Sequence, residues 1–442
     1  MNRCGTLIGW AVLFLAAAPT ISAQVPQAAE TFDAAWTIIR DTHFDKTMHG
    51  LDWDAVRAEL KPKAAAATSP AVLRSVIRDM LGRLGLSHFA LIPSGGETAP
   101  AEMSGMPTDT SGDPGVDVRL IGRDLIVTSV DTAAAALVRP GWRLTQIGSR
   151  RVVELLRTLP EGGSGADRHQ QVEAWRIAQM HLRGPAGSKV DLILENAAGE
   201  AVSVAVPRAP EKGTPVTVGN LPTMYVRVEK QKLSTPSGAT IGLIKFNVWM
   251  AAVDAQFQTA MDELRKADGI IIDLRGNPGG LAAMLRGISG HFLKDSTSLG
   301  VMKTRESEFR FTANPRLVSA AGERVDPFGG PVAILVDSMT GSASECFAGG
   351  MQSIGRARVF GQTSMGQALP ALFDKLPNGD VLIHAYGDFV TANGTRLEGR
   401  GVIPDETVPL TREDLLADRD RTMQATLAWF DRERQAKAPQ HP

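Results

Sequence analysis

The chain has 442 residues, more than one hydrophobic core usually organises, so two or three domains are expected. Hydrophobic residues make up 43% and charged residues 21% of it, which is typical of a globular protein rather than a disordered one. The 47 basic residues are balanced by 48 acidic ones, so no basic field exists to bind nucleic acid or an anionic membrane surface.

The first residues have the pattern of a secretory signal peptide. Arg3 supplies a positive charge, residues 7–18 are apolar, and small side chains end at Ala23. Cleavage after Ala23 would remove residues 1–23, and the mature protein is expected in the periplasm or outside the cell. The apolar stretch is too short to span a bilayer comfortably, so no stable membrane insertion is expected. Cys346 would then be the only cysteine of the mature chain, without a partner for an intramolecular disulfide.

Residues 24–92 are expected to form a helical domain. Apolar residues recur at helical spacing in three stretches, and the third runs from Ala71 to Leu84. It stops at Gly85-Leu86-Ser87-His88, because glycine readily ends a helix. Residues 93–113 are rich in Gly, Pro, Ser and Thr, and this composition predicts a linker.

From residue 114 the apolar period changes to two, which favours strands. The predicted elements of this region are strands at 116–120, 125–127 and 142–147, a small helix at 133–138, and a hairpin of 190–194 with 201–206. Their order resembles a PDZ domain over residues 114–208, although a generic small β-rich domain has the same pattern. A PDZ domain would capture an extended polypeptide by strand addition or by its C-terminus. Gly141-Trp142 stands where Gly-Asp is expected, which leaves recognition of a free carboxylate open.

Residues 209–412 are expected to form an α/β core. Apolar strands are predicted at 241–244, 269–274 and 331–336, with helices at 254–266 and from about 342. Continuous apolar strands that alternate with helices favour a sheet covered on both faces. Ligands of such sheets bind beyond the carboxyl ends of the strands. Residues 413–442 are expected to add a C-terminal helix and tail.

Two segments just beyond predicted strand ends carry the chemistry. Asp273-Leu274-Arg275-Gly276-Asn277-Pro278-Gly279-Gly280 has the glycines that an anion-binding loop requires. In the second segment a strand turns directly into a helix at Gly341-Ser342-Ala343-Ser344-Glu345. A serine there meets free N–H groups and a helix dipole that favour a developing oxyanion. Taken separately, the first segment can be a tight turn, and plain helix capping by Ser342 or Ser344 explains the second segment better than catalysis does.

Taken together, four motifs in order resemble the tail-specific (C-terminal processing) protease family over residues 30–410. They read D-L-R-G-N-P-G-G, G-S-A-S-E, G-Q-T-S-M-G and E-G-R-G-V-I-P-D. The resemblance implies a ClpP/crotonase-like α/β core and a serine peptidase that hydrolyses polypeptides. It places the nucleophile on Ser342, an oxyanion hole on the N–H groups of Gly279 and Ala343, and leaves Ser344 to helix capping. No cofactor is expected, and no pair of histidines has metal-ligand spacing.

The family's bacterial processing branch uses a lysine as base, but Gln367 occupies that position. The tricorn-like branch has another base, and its Ser-His pair and glutamate are similar to Ser87-His88 and Glu398. Imidazole is a suitable base for a serine, and a carboxylate bridged by Ser87 would fix the His88 tautomer. Glu345 is a competing carboxylate. The alternative function is a catalytically inactive binding protein of the same fold that holds a peptide or an apolar ligand.

Overall fold

The computed structural model describes Val25 and residues 27–94, 111–159, 166–217 and 223–437. The predicted signal peptide, residues 95–110 of the predicted linker and the last five residues lie outside the described residues. Across the described ranges, no helix combines the length and apolar character needed to cross a membrane.

The N-terminal region is a packed set of helices. Asp52 and Ser69 cap the second and third helices by accepting from the N–H groups of Ala55 and Val72. The apolar faces meet in one core, in which Phe32 and Leu60 are fully buried. The elements are α1 (Ala28–Thr42), α2 (Trp53–Ala65), α3 (Pro70–Gly82) and β1 (Ala90–Ile92), with a 3-10 turn at Met48–Gly50.

The middle region is a β-rich unit. Its main sheet has the order β3-β4-β5-β8-β9, every pair antiparallel, with β6 beside β5. The elements are β2 (Ser111–Asp113), β3 (Val116–Ile121), β4 (Asp124–Val130), β5 (Arg143–Ile147), β6 (Arg150–Arg151), α4 (Val152–Leu155), a 3-10 turn (Leu156–Thr158), α5 (Ala166–Leu182), β7 (Gly184–Pro185), β8 (Lys189–Glu195), β9 (Ala201–Pro207) and β10 (Ala209–Pro210).

The small helix expected at 133–138 is not formed, and the prediction was wrong. The stretch makes hydrogen-bonded turns, and the Asp131 carboxylate accepts from the N–H groups of Ala133 and Ala134. Pro140 follows too closely for a helix to continue, because proline disfavours helical backbone in the residue before it.

The third region is the α/β core. Its elements are β11 (Thr214–Val216), β12 (Met224–Val226), β13 (Val228–Ser234), β14 (Thr240–Phe246), α6 (Ala252–Leu264), β15 (Gly269–Asp273), a 3-10 turn (Ala282–Met284), α7 (Leu285–Ser289), β16 (Ser298–Thr304), β17 (Glu308–Thr312), β18 (Val332–Val336), α8 (Ala343–Ser353), β19 (Arg358–Gly361), β20 (Ala371–Lys375), β21 (Val381–Ala385), β22 (Gly387–Thr391), β23 (Glu406–Thr407), α9 (Arg412–Leu416) and α10 (Arg421–Lys437).

The main core sheet has the order β13-β14-β15-β18-β19-β23, parallel from β14 onward. Every residue of β15 and β18 is buried, as expected of strands covered on both faces. β15 and β18 are neighbours, with Asp273 paired with Leu335 near their carboxyl ends. The loops that follow these strands, 274–280 and 337–342, therefore leave the sheet side by side.

The end of the N-terminal region is a strand, which the prediction of a helical domain over residues 24–92 did not include. β1 pairs antiparallel with β21 of the core, with Leu91 opposite Leu382. Both side chains are fully buried in the core of the N-terminal helices, so burial against the α/β region outweighs helix formation here. Ser87 and His88 immediately precede β1 and are thereby held against the core.

Candidate active site

Ser342 lies between β18 and α8, as the N-cap of the helix. Its φ angle is 51°, in the left-handed region that residues other than glycine rarely adopt. Its N–H donates to Gln367 O at 2.8 Å and to the Glu345 carboxylate at 3.0 Å. These bonds hold the strained turn and leave the side chain partly exposed at the surface of the site.

Ser87, His88 and Glu398 form a hydrogen-bonded chain. Ser87 Oγ donates to Glu398 Oε2 at 2.9 Å and lies 2.8 Å from His88 Nδ1. The Ser87 N–H also donates to Glu398 Oε1, at 2.9 Å. The Ser87 hydroxyl has one proton, which it donates to Glu398, so Ser87 Oγ must accept from a protonated His88 Nδ1. His88 Nε2 is then the nitrogen with a free lone pair.

The electrostatic surroundings keep the imidazole neutral near pH 7. Burial, together with the positive charge of Arg176, lowers the pKa of His88 to about 4. Burial raises the pKa of Glu398, while hydrogen bonds from Ser87 and from the Ala368 N–H oppose that rise. A neutral imidazole can accept a proton, which is what a general base requires.

Residues 364–368, here called the bridging segment, connect Ser342 with the Ser87-His88-Glu398 chain. Gln367 O accepts from the Ser342 N–H, and the next residue, Ala368, donates its N–H to Glu398 Oε2 at 2.9 Å. Two consecutive residues therefore contact the serine turn and the carboxylate. The His88 ring and the Ser342 hydroxyl, both described, are not hydrogen-bonded to each other in this conformation.

The two expected oxyanion donors differ in their surroundings. The Gly279 N–H donates to Asn277 Oδ1 at 3.0 Å, so this donor is already engaged, contrary to expectation. Within the described ranges the N–H groups of Ala343 and Gly280 donate to no atom. Gly279 still packs on the nucleophile turn, because a Cβ there would lie 2.6 Å from Ser342 Cβ. The structure thus leaves Gly280, beside Gly279, as the loop donor without a partner.

Ser344 is not a helix cap, so that assignment was wrong. It lies inside the first turn of α8, is fully buried, and its Oγ accepts from Trp249 Nε1 at 2.8 Å. The helix begins at Ala343 because Ser342, with its positive φ, is the last residue outside helical geometry. Ser344 therefore satisfies a buried indole N–H.

Two arginines from α5, which sequence reasoning missed, border the site. Arg168 donates to the carbonyl oxygens of Gly399 at 2.8 Å and Ser364 at 3.1 Å. Arg176 is close enough to His88 to lower its pKa. No local sequence signal marks either residue, because only tertiary packing brings this helix to the site.

The competing carboxylate and the other histidines that the structure describes do not join the cluster. Glu345 accepts from Ser342 and from the bridging segment, whereas Glu398 is the carboxylate bonded to Ser87. His43 and His384 are buried with contacts of their own, to Asp45 and to Asp374. No group of three or more metal-ligating side chains occurs in the part of the chain that the structure describes.

Comparisons with known proteins give a consistent assignment. Residues 240–408 match peptidase family S41, and residues 26–82 match the tricorn protease C1 domain. The chain is 25% identical to a carboxyl-terminal-processing protease of Picosynechococcus sp. over 379 residues, which are 85% of this chain and 82% of that protein. It is 24% identical to carboxyl-terminal-processing peptidase 3, chloroplastic, of Arabidopsis thaliana, over 88% of this chain and 72% of that protein.

Solved structures share the fold at low sequence identity. The photosystem II D1 C-terminal processing protease superposes with a TM-score of 0.56 at 20% identity, over 89% of this chain and 97% of that one. Mature CPAF, in complex with lactacystin, gives a TM-score of 0.60 at 13% identity, over 92% and 99%. These findings support the peptidase interpretation rather than the inactive binding protein. The chain is a serine peptidase similar to carboxyl-terminal-processing proteases, with residues 240–408 matching peptidase family S41 and residues 26–82 matching the tricorn protease C1 domain.

Proposed function

We propose that this chain is an exported endopeptidase in which Ser342 attacks the peptide bond and His88 accepts its proton. The observation that supports this most is the hydrogen-bonded chain from Glu398 through Ser87 to His88 Nδ1. Its Glu398 end accepts from the Ala368 N–H, and the preceding residue, Gln367, accepts from the Ser342 N–H through its carbonyl oxygen. Ser87 and Glu398 would fix the His88 tautomer.

In the first step Ser342 Oγ attacks the carbonyl carbon while its proton moves to His88 Nε2. The imidazolium that forms keeps its Nδ1–H on Ser87, and the Glu398 charge behind Ser87 stabilises it. Since no hydrogen bond joins His88 to Ser342 in this conformation, the two groups must approach when substrate binds. Catalytic hydrogen bonds are often long in free enzymes and tighten in the substrate complex.

The negative charge of the tetrahedral intermediate would be stabilised by backbone N–H groups. Ala343 N–H at the start of α8 is one donor, and the loop of Gly279 and Gly280 supplies the other. Gly280 has the free N–H, while Gly279 would first have to release Asn277. The helix dipole of α8 adds to this stabilisation.

Collapse of the intermediate breaks the carbon–nitrogen bond, and His88 gives its proton to the leaving amine. Water then attacks the acyl-Ser342 ester, with His88 again taking a proton, and the carboxylic product leaves. The reaction needs no metal and no cofactor. Gln367 takes no proton at any step, which is consistent with the absence of a dyad lysine.

The substrates proposed are extended polypeptides, and a PDZ-like domain at residues 114–208 would capture them. Its helix α5 contacts the Gly399 carbonyl through Arg168, so captured chains would be held beside the site. We propose the remaining layout as a signal peptide (1–23), a helical domain (24–92), a linker (93–113), the peptidase core (209–412) and a C-terminal helix with its tail (413–442). Export after signal cleavage follows from this layout.

The proposal is tested by digesting a peptide library with the purified protein and with a His88→Ala variant. We expect internal cleavage by the wild type and a loss of about 10²–10⁴-fold in kcat for the variant, which is the range for a missing general base. Unchanged turnover of His88→Ala would exclude the imidazole as base.

A further inference from the structure

Glu345 is a buried carboxylate that the mechanism above does not use. It lies in the first turn of α8, and its side chain has no solvent exposure. Four donors converge on it: the N–H groups of Ser342 and Gln367 at 3.0 Å, and Gly366 N–H and Ser364 Oγ at 2.6 Å. A buried group with this many donors needs acceptor capacity that only the ionised carboxylate supplies in full.

Among the residues that the structure describes, no cationic side chain pairs with this carboxylate. Cys346 is its neighbour on α8, and the Glu345 charge contributes to raising the pKa of that thiol. Glu398, on the 398–402 loop, also contributes to raising the pKa of that thiol, and Arg168 of α5 donates to the Ser364 carbonyl. No ion pair joins Glu345 to any side chain in the described ranges. Hydrogen bonds alone therefore stabilise its charge.

The two glutamates lie at opposite ends of the bridging segment. Glu345 fixes residues 364, 366 and 367, while Glu398 accepts from Ala368. Ser364 Oγ also accepts from the Val402 N–H at 2.6 Å, which connects Glu345 with the loop that carries Glu398. The positions of the nucleophile turn and of the Glu398 loop thus depend on one buried carboxylate.

We propose that Glu345 is a positioning residue whose ionised carboxylate holds Ser342 and the bridging segment in the positions that proton transfer to His88 requires. This inference rests on the proposed role of Ser342. When the carboxylate is protonated, only Ser364 Oγ among its four partners can accept that hydrogen, because the other three are N–H groups that can only donate. A neutral carboxyl group is also a weaker acceptor for the Ser342 N–H, so the serine turn, strained at φ 51°, would be held less firmly.

A dependence on pH follows. Burial raises the pKa of Glu345, and although the four donors oppose that rise, the pKa is about 7. Loss of the ordered turn is therefore expected as the pH falls through about 7, well above the region where His88, with a pKa of about 4, becomes protonated. The decrease of the reaction rate at acidic pH would therefore reflect protonation of Glu345 rather than of His88.

The test is the rate at which a fluorophosphonate labels Ser342 between pH 5 and pH 8. We expect the wild-type rate to fall about tenfold per pH unit below pH 7, as for one essential ionisation. Glu345→Gln, which resembles the protonated state, should be about 100-fold slower at pH 8 and should show no acid limb above pH 5.

Asp380→Asn is the matched control. Asp380 is also fully buried and accepts from Arg74 and Ser94, but it lies away from the nucleophile turn. This variant should lose thermal stability and keep the wild-type rate and pH profile.

A wild-type rate and acid limb in Glu345→Gln would overturn the inference. If that variant does not fold, a wild-type rate that stays constant from pH 8 down to pH 5 would overturn it as well. Failure of the proposed function is a different result, because the label would then be absent from Ser342 in the wild type.

Discussion

Replacing Ser87 by alanine isolates the link between Glu398 and His88. The hydroxyl that accepts from His88 Nδ1 at 2.8 Å and donates to Glu398 Oε2 at 2.9 Å is removed. The Ser87 N–H remains on Glu398 Oε1 at 2.9 Å, so the carboxylate keeps its place. The imidazole loses the partner that selects its tautomer and stabilises its protonated form.

The size of the effect follows from these two hydrogen bonds. Their loss should lower the free energy of unfolding by about 1–2 kcal/mol. In the serine protease triad the loss of the orienting carboxylate lowers kcat by about 10⁴-fold. Because Glu398 stays in place and water can partly replace the hydroxyl, we expect a fall of about 10²–10³-fold here, or roughly 3–4 kcal/mol in activation free energy.

The assay is kcat on a fluorogenic peptide, together with thermal unfolding. Ser69→Ala is the matched control, since that hydroxyl caps α3 by accepting from Val72 N–H at 3.3 Å. It should cost about 1 kcal/mol of stability and leave kcat unchanged. A Ser87→Ala enzyme with wild-type kcat would refute the assigned role of this chain of hydrogen bonds.

Three further predictions concern the same site. Ser342→Ala should abolish peptide hydrolysis and keep a Tm close to that of the wild type; undiminished turnover of this purified variant would move the nucleophile elsewhere. Ser344→Ala should retain the nucleophile but lose about 1–2 kcal/mol of stability, because a buried indole N–H loses its acceptor. Gln367→Lys should not restore full activity to His88→Ala, since a base needs hydrogen-bond reach to the Ser342 hydroxyl and a lysine must first lose its own proton. Full recovery in the double variant would show a site built for lysine. The pKa of His88 is lowered from 6.5 to about 4, so the unfolded chain binds more protons than the folded chain between these pH values, and the free energy of unfolding falls as the pH drops from 6.5 to 4. In denaturant titrations of His88→Gln this decrease should be smaller than in the wild type by roughly 3 kcal/mol, and the rest of the decrease is due to groups such as His291.

The strands and helices of the core could be predicted because their sequence signals are local. The strand expected at 269–274 is β15 (Gly269–Asp273), and the hairpin expected at 190–194 and 201–206 is β8 with β9. Fully apolar runs and an Ala-Ala-Gly turn suffice to identify these elements. The strand β1 could not be found in this way, because it is three residues long and pairs with a partner almost 300 residues later along the chain.

In the site, too, some features follow from local sequence signals and others only from tertiary contacts. Motif order identified the segments of Ser342 and Glu398, and the Ser-His pair pointed to residues 87 and 88. The contacts that join them run through backbone groups of Gln367 and Ala368, which any residue type could supply. Arg168 and Arg176 come from another region of the fold. Side-chain identity predicts chemistry, whereas backbone and tertiary contacts require coordinates.

The central claim is that Ser342 is a nucleophile activated by His88. Peptide mapping after fluorophosphonate treatment at pH 8 tests it most directly, with wild type, Ser342→Ala and His88→Ala treated in parallel. We expect one adduct on Ser342 in the wild type, none in Ser342→Ala, and labelling slowed by about 10²–10⁴-fold in His88→Ala. An adduct on another serine, or equal labelling of wild type and His88→Ala, would contradict the claim.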